Sequence, residues 1–242
     1  MVRRINAPAI SGLLLAAASG LIVAGVGVGL ARRREPPPVR FPGMPTPDTN
    51  TLVRRFIMYF IVPLWHAAGL ADWLCHRRTA IDKTTGLKES LLHLMMLGEM
   101  GVPVLACLFL EINAPVIGLM IAAFFAHEAT ALWDVSYAVT RRKVTPIEQH
   151  VHSFLEMLPL MATSFIVVLH WPKFLELLGF AGKRDMTIRL KREPLPVTYV
   201  VVALGAVVLL ELLPYLEEVR RDWRAYPGRL KPPKYPALTK TP

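Results

Sequence analysis

The segment PIEQHVHSFLE, residues 146–156, opens a run that stays otherwise apolar as far as Trp171. At about 1.5 Å per residue, a helix over this run can cross the roughly 30 Å hydrocarbon core of a membrane. Glu148, His152 and Glu156 follow one another at i, i+4 spacing and therefore share one helix face. Ionisable side chains inside a membrane are costly unless they pair or bind a cation. We therefore predict that this face meets other polar groups inside a helical bundle.

The composition of the whole chain agrees with a membrane location. Of its 242 residues, 53% are hydrophobic, and several apolar runs reach the ~20 residues that a spanning helix needs. The formal charge of +10 comes largely from Lys and Arg just outside these runs, which predicts membrane lipid as a partner. The pattern of basic and aromatic residues typical of nucleic-acid binding is missing, so no nucleic-acid partner is expected. Cys75 and Cys107 both lie in apolar runs, so no disulfide framework is expected.

The order of apolar and polar segments predicts an all-α fold, a polytopic transmembrane helical bundle of about six spans. The predicted segments are an N-terminal transmembrane anchor (1–31), a Pro-rich linker (32–55), a four-helix transmembrane metal-binding core (56–171), a polar connection (172–194), a C-terminal transmembrane helix (195–216) and a basic tail (217–242). The tail is expected to be loose or to lie on the membrane surface. Six spans place both termini on one side, and a slight excess of Lys and Arg there predicts that the termini are cytoplasmic.

Four of the predicted spans bring ionisable residues to the same end of the bundle. Short connections make consecutive spans antiparallel, so the end of one packs beside the start of the next. Carboxylates and imidazoles recur within these spans at i, i+4 or i, i+7 spacing, which places them on a common face. The candidate metal ligands are Asp72, His76, Glu89, His93, His127, Asp134, Glu148, His152 and Glu156.

This set combines imidazoles with carboxylates and contains no thiolate pair, which suits iron, manganese or zinc. Nine candidates exceed what one ion binds, so we predict two divalent metal ions, with iron favoured over manganese and zinc. Other polar residues of the spans, His66, Glu99, Glu128 and His150, are expected to make hydrogen bonds between helices. The basic residues 141–143 are expected to contact lipid headgroups.

Three motifs of the chain resemble those of a known group of sequences. Residues 72–79 (DWLCHRRT), 127–134 (HEATALWD) and 148–156 (EQHVHSFLE) are similar to segments of a family of uncharacterised bacterial integral membrane proteins. The resemblance implies a bacterial inner-membrane location and no particular activity. More distantly, the bundle and its ligand types are similar to ferritin-like di-iron carboxylate bundles, which use Glu-x-x-His where this chain has Glu-x-x-x-His.

The predicted function is that of an oxidoreductase that acts on a lipid-soluble substrate, such as a quinone or a fatty acyl chain, with a redox partner. A metal-dependent membrane hydrolase stays open, because zinc would polarise water with the same ligands. An ion or proton transporter is a third alternative, although a conducting path needs polar residues through the full membrane depth. A b-type haem protein would leave the carboxylates unexplained, and a non-enzymatic membrane scaffold is the last alternative.

Overall fold

The computed structural model describes residues 47–180 and 185–233, and in these ranges the chain is all-α, as predicted. Five of the described helices are long and apolar enough to cross a membrane. They are α1 (Thr49–Thr79), α3 (Leu87–Phe109), α4 (Ala114–Ala138), α5 (Pro146–Leu169) and α7 (Val197–Ala225), with the short helices α2 (Ile81–Thr84) and α6 (Trp171–Leu178) between them. The polytopic bundle is thus confirmed, and the chain is an integral membrane protein. The predicted anchor at 1–31 lies outside the described residues.

The five long helices form a closed ring. α1 packs against α5, α5 against α4, and α4 against α3, while α7 lies between α3 and α1. The sequence predicts a four-helix core with the C-terminal helix outside it. The structure instead places α7 in the core, because Glu211, Glu218 and Asp222 on one of its faces are all buried. This face runs beyond the apolar part of the helix, so hydrophobicity alone does not indicate it.

Three predicted boundaries shift for local reasons. α1 begins at Thr49, not near residue 56, because the side chain of Asp48 accepts from the backbone N–H of Thr51 and caps the helix. α7 continues to Ala225, so the first turns of the predicted basic tail are helical and packed. The predicted polar connection 172–194 contains α6 and an isolated antiparallel bridge between Leu190 and Leu110.

The turns divide the bundle into two ends. Residues 80–86 and 139–145 lie at what we call the near end, together with the last turns of α7. The turn between α3 and α4 and residues 170–180 and 185–196 lie at the opposite, far end. Thr145 begins α5 with a capping box, in which its hydroxyl accepts from the N–H of Glu148 and the Glu148 carboxylate accepts from the N–H of Thr145. This cap fixes Glu148 at the near end.

Replacement of Ser90 by Ala tests the packing of α7 against α3. Ser90 donates a 2.6 Å hydrogen bond to the buried carboxylate of Asp222, and without it that oxygen loses its donor. We expect Ser90→Ala to lower the free energy of unfolding by about 1–3 kcal/mol. Ser153→Ala is the matched control, because the exposed hydroxyl of Ser153 bonds only to the Gln149 carbonyl of its own helix. Thermal unfolding in detergent compares the two, and equal effects would contradict the packing of α7.

Candidate metal centre

The centre is built around two stacked histidine rings. His76 near the end of α1 and His93 near the start of α3 are buried, with ring centroids 4.3 Å apart and ring planes 5° apart. The Nδ1 atom of each ring faces the carboxylate of Glu218 on α7, at 3.2 Å for His76 and 2.7 Å for His93. An ionised carboxylate only accepts hydrogen bonds, so both rings donate through Nδ1–H. In the neutral imidazole, Nε2 then carries the lone pair.

Both Nε2 atoms point among carboxylates, and neither has a hydrogen-bond partner within the described ranges. Asp72 Oδ1 lies 3.4 Å and Glu148 Oε1 3.6 Å from His76 Nε2. Asp72 Oδ1 is also 2.9 Å from His152 Nε2, without the geometry of a hydrogen bond. Two ligands bound at about 2.1 Å to one ion lie roughly 3.0–3.4 Å apart. These four side chains therefore have the spacing of a shared coordination shell.

A second group of the same kind surrounds His93. Asp134 Oδ2 lies 3.5 Å from His93 Nε2, and Glu89 completes a set whose ligand atoms are all within 4.8 Å of one another. Asp72 belongs to a further set with both stacked histidines, His76 and His93. The 4.3 Å ring spacing is close to the roughly 3.5–4 Å that separates the ions of two-metal sites. His76, His93 and Asp72 would therefore be among the residues that hold two ions.

These side chains form one unit at the near end of the bundle. Every one of the five long helices contributes at least one member. We call the unit the carboxylate–histidine cluster, and its members are Asp72, His76, Glu89, His93, Asp134, Glu148, His152 and Glu218.

Arg142 closes the cluster from the loop between α4 and α5. Its guanidinium donates to Glu148 at 2.5 and 2.9 Å and to Glu89 at 2.5 Å, and its side chain is only 3% exposed. Burial lowers the pKa of Arg142, but the hydrogen bonds that it donates to Glu148 and Glu89 outweigh this effect and raise the pKa above its usual value. The sequence predicts a lipid-headgroup contact for Arg142. The structure corrects this, because two buried carboxylates attract the side chain inward.

The charges of the cluster suit two divalent cations. Five carboxylates and the single guanidinium of Arg142 leave four negative charges when the histidines are neutral. Buried charge of this size destabilises a fold unless it is neutralised. Two divalent ions supply four positive charges, at the place where the Nε2 lone pairs and carboxylate oxygens meet.

The structure brings seven of the nine predicted ligands together: Asp72, His76, Glu89, His93, Asp134, Glu148 and His152. The other two, His127 and Glu156, belong to none of the ligand groups found in the described part of the chain. Both line a pocket of about 50 Å³ beside the cluster, together with Asp72, His93 and other residues. The structure therefore places His127 and Glu156 on the wall of this pocket, outside the ligand groups. Each lies a turn or more deeper than the cluster members on its own helix, which moves it beyond their reach.

Sequence reasoning missed Glu218, although a signal for it was present. Glu211, Tyr215, Glu218 and Asp222 are spaced by four, three and four residues, which is the repeat of a buried helix face. The apolar run ends before Glu218, and the charged residues that follow resemble a solvated tail. The helical repeat, and not the charged composition, indicates correctly that Glu218 is buried.

Glu211 is held next to the cluster by His66, a histidine that is not a cluster member. His66 Nδ1 lies 3.3 Å from Glu211 Oε1, and both side chains are buried. Glu211 lies in a π-helical segment, Val208–Leu212, which widens α7 by one residue. Its carboxylate packs against Gly69 of α1, where an added Cβ would overlap the carboxylate oxygens. The expected hydrogen bond of His66 between helices is therefore present, and its acceptor lines the pocket beside the cluster.

Comparisons of this chain with protein-family models, with curated proteins and with solved structures found no match. The chemistry of the centre therefore rests on its own residues.

Replacement of Arg142 by Ala tests the electrostatic closure of the cluster. It leaves the carboxylates of Glu89 and Glu148 buried without their cation, and we expect a loss of about 3–5 kcal/mol in stability. Arg142→Lys should lose less stability than Arg142→Ala but should not reach that of the parent, because one ammonium cannot reproduce the guanidinium fork that spans two carboxylates. The control is Lys143→Ala, which removes an exposed positive charge from the next position. Denaturant titration in detergent measures the losses, and equal losses for both alanine variants would contradict the role of Arg142.

Replacement of Gly69 by Ala tests the contact with Glu211. A methyl group there displaces the carboxylate, so we expect a loss of about 1–3 kcal/mol. Gly98→Ala is the control, because an added Cβ at Gly98 meets nothing within 4 Å. In a helix, Ala is favoured over Gly by about 1 kcal/mol, so Gly98→Ala should stabilise the protein. The two melting temperatures should move in opposite directions, and a shift of Gly69→Ala upward would rule out the close approach.

Proposed function

We propose that this chain is a membrane-embedded dinuclear-metal enzyme, a di-iron oxidoreductase that acts on a lipid-soluble substrate. The observation that carries the proposal is the pair of buried Nε2 atoms of His76 and His93, both supported through Nδ1 by Glu218. A carboxylate behind the ring is the usual support of a metal-binding histidine, since it fixes the tautomer and makes the ring more basic. A buried histidine that served only to bridge helices would have both ring nitrogens hydrogen-bonded. In the described residues, the Nε2 atoms of His76 and His93 have no such partner.

The donor types favour iron. Imidazole suits iron, zinc and copper, while carboxylate suits the harder ions, so a mixture rich in carboxylates favours iron or manganese. Neither Cys75 nor Cys107 belongs to a ligand group in the part of the chain that the structure describes. A thiolate-bound structural zinc is therefore not supported. Two ions in such a site supply redox chemistry toward dioxygen or a bound substrate.

The chain's own residues prepare the site for this chemistry. Glu218 holds the Nδ1 protons of both histidines, and Arg142 fixes the orientation of Glu89 and Glu148. The adjoining pocket of about 50 Å³ has room for a small molecule such as water or dioxygen. Apolar side chains form its remaining wall and limit the access of bulk water. Water exclusion strengthens the electrostatic interactions of such a site.

Two of the rival functions agree less well with the geometry. The rings of His76 and His93 stack 4.3 Å apart with Nδ1 of both on Glu218, whereas the axial ligands of one haem lie on opposite faces of the porphyrin. A transporter needs polar groups through the full depth of the bundle. The cavity in the far half is apolar between its mouth and Trp65, apart from hydroxyl and thiol groups. The metal-dependent hydrolase would use the same ligands as the oxidoreductase. It differs in the metal and in the reaction, so an experiment has to separate the two.

Metal analysis of the full-length chain purified in detergent tests the proposal. We expect about two iron ions per chain and no Soret band. His152→Ala should lose metal, because His152 Nε2 lies 2.9 Å from Asp72 Oδ1 at the centre of the cluster. The matched control is His150→Ala, which removes an exposed imidazole two residues away on the same helix and should keep the full content. Parent protein without metal, or equal loss in both variants, would overturn the metal site.

The reaction class is tested on the iron-loaded protein. We expect dioxygen consumption with a lipid-soluble electron donor such as a quinol, and none with His152→Ala. Zinc in place of iron, together with ester hydrolysis and no dioxygen consumption, would replace the oxidoreductase with the hydrolase.

A further inference from the structure

The far half of the bundle contains a second, larger cavity of about 500 Å³, which we call the far cavity. Its interior is apolar, and it lies within the ~300–1,000 Å³ range of small-molecule sites. The π-helical segment Ile57–Ile61 of α1 contributes part of the wall. Other wall residues include Val104, Ala162, Ile166 and Ala203.

The mouth of the far cavity is polar and carries more cations than carboxylates. Arg54, Lys191 and Arg192 line it, against Glu111 and Glu193. Glu111 Oε1 already accepts a 2.7 Å hydrogen bond from the backbone N–H of Arg192. Lys191 is half-buried, and no ion pair to it is found among the described residues. Burial lowers the pKa of Lys191, and the nearby carboxylate of Glu111 offsets only part of that effect.

The chain is held across this mouth by defined contacts. Leu190 and Leu110 form an antiparallel bridge, and the backbone N–H of Lys191 donates a 2.8 Å hydrogen bond to the carbonyl of Phe109. The side-chain amide of Asn113 donates a 2.7 Å hydrogen bond to the carbonyl of Thr187. The basic residues at the mouth are therefore positioned by the fold.

The far cavity leads toward the carboxylate–histidine cluster. Trp65 lines both the far cavity and the small pocket beside the cluster, and it is the one described residue common to the two. Met96 lines the small pocket and Met100, one turn farther along α3, lines the far cavity. The distance along α1 from Arg54 to Trp65 is roughly 16 Å. The two spaces therefore follow one another along the same helices, with Trp65 between them.

We propose that the far cavity binds one long-chain fatty acid, with its carboxylate at the basic mouth and the end of its chain at Trp65. A volume of about 500 Å³ suits a single hydrocarbon chain, whereas a diacyl phospholipid carries two. A quinone has no charged headgroup, so it would leave the three cations Arg54, Lys191 and Arg192 in excess over the two carboxylates at the mouth. The binding of the fatty acid does not depend on the function proposed above. The consequence that its methyl end is presented to the metal centre does rest on that function.

The order of groups along the cavity determines which part of the ligand meets the cluster. Arg54 and Lys191 lie at the far end, and Asp72 lies seven residues beyond Trp65 on α1, which is roughly 10 Å closer to the near end. The carboxylate of the fatty acid is thus kept distant from the cluster. The carbons at the methyl end face it.

Quenching of Trp65 fluorescence by brominated fatty acids tests this arrangement in the full-length chain in detergent. The Trp65 signal is the difference between the parent and Trp65→Phe. A fatty acid with bromine near the methyl end should quench this signal, and one with bromine next to the carboxylate should quench it far less. The reverse order, or no saturable quenching, would overturn the proposal.

Two pairs of variants locate the ligand. Lys191→Glu should weaken binding by about tenfold or more, because a buried anion loses its partner. The control is Lys143→Glu, which makes the same charge reversal at an exposed site of the near end and should leave the affinity unchanged. Ala162→Trp should abolish binding by filling the cavity, while Ser164→Trp adds the same bulk on an exposed face of α5 and should not. Equal effects within either pair would overturn the assignment.

Measurement of metal and fatty acid in the same samples separates the two proposals. Ala162→Trp should keep the metal content of the parent, which also shows that it folds, and fatty-acid binding should persist in chelator-treated protein. Metal without saturable fatty-acid binding refutes the ligand alone, and fatty-acid binding without metal refutes the metal centre alone. Mass spectrometry of the lipids that copurify should find free fatty acid. A stoichiometric quinone or phospholipid displaced by Ala162→Trp would replace the fatty acid as occupant.

Discussion

The five carboxylates of the carboxylate–histidine cluster are buried together at one end of a membrane bundle, and this concentration of charge governs how the helices pack. Their charge must be neutralised where water cannot do it. Arg142 turns inward to meet Glu89 and Glu148, and two histidines share the carboxylate of Glu218. What remains is negative charge beside the unpartnered Nε2 atoms found in the described residues. The pair of divalent cations proposed here would satisfy both the charge and the lone pairs.

Most of the fold and the ligand-bearing faces could be predicted from the sequence, because apolar length and i, i+4 spacing are local properties. The spacing of Asp72 and His76 on α1 is an example, and the structure places the two side chains 3.4 Å apart. Glu218 and Arg142 were not found by the same reasoning. Their roles depend on long-range contacts, so local composition, which is charged in both cases, indicates solvent or headgroups. Partner choice across a ring of five helices is set by the fold as a whole.

Two π-helical segments also influence where the buried side chains lie. Each of the two π-helical segments inserts one residue into a long helix and changes the faces on either side of it. In α7 the segment Val208–Leu212 directs Glu211 toward His66 while Glu218 still reaches the stacked histidines. Gly69 makes room for Glu211, since a side chain at that position would occupy the same space.

The separation of charge and apolar volume along the bundle axis has a chemical consequence. All members of the carboxylate–histidine cluster lie at the near end, so the far half can be apolar without leaving a buried charge unpaired. Trp65 lies where the two halves meet, because it contributes to both the small pocket and the far cavity. An apolar molecule in the far half would therefore approach the metal centre through the protein interior, shielded from water. Reactive chemistry at such a centre would meet hydrocarbon first, which is the arrangement that a lipid-soluble substrate requires.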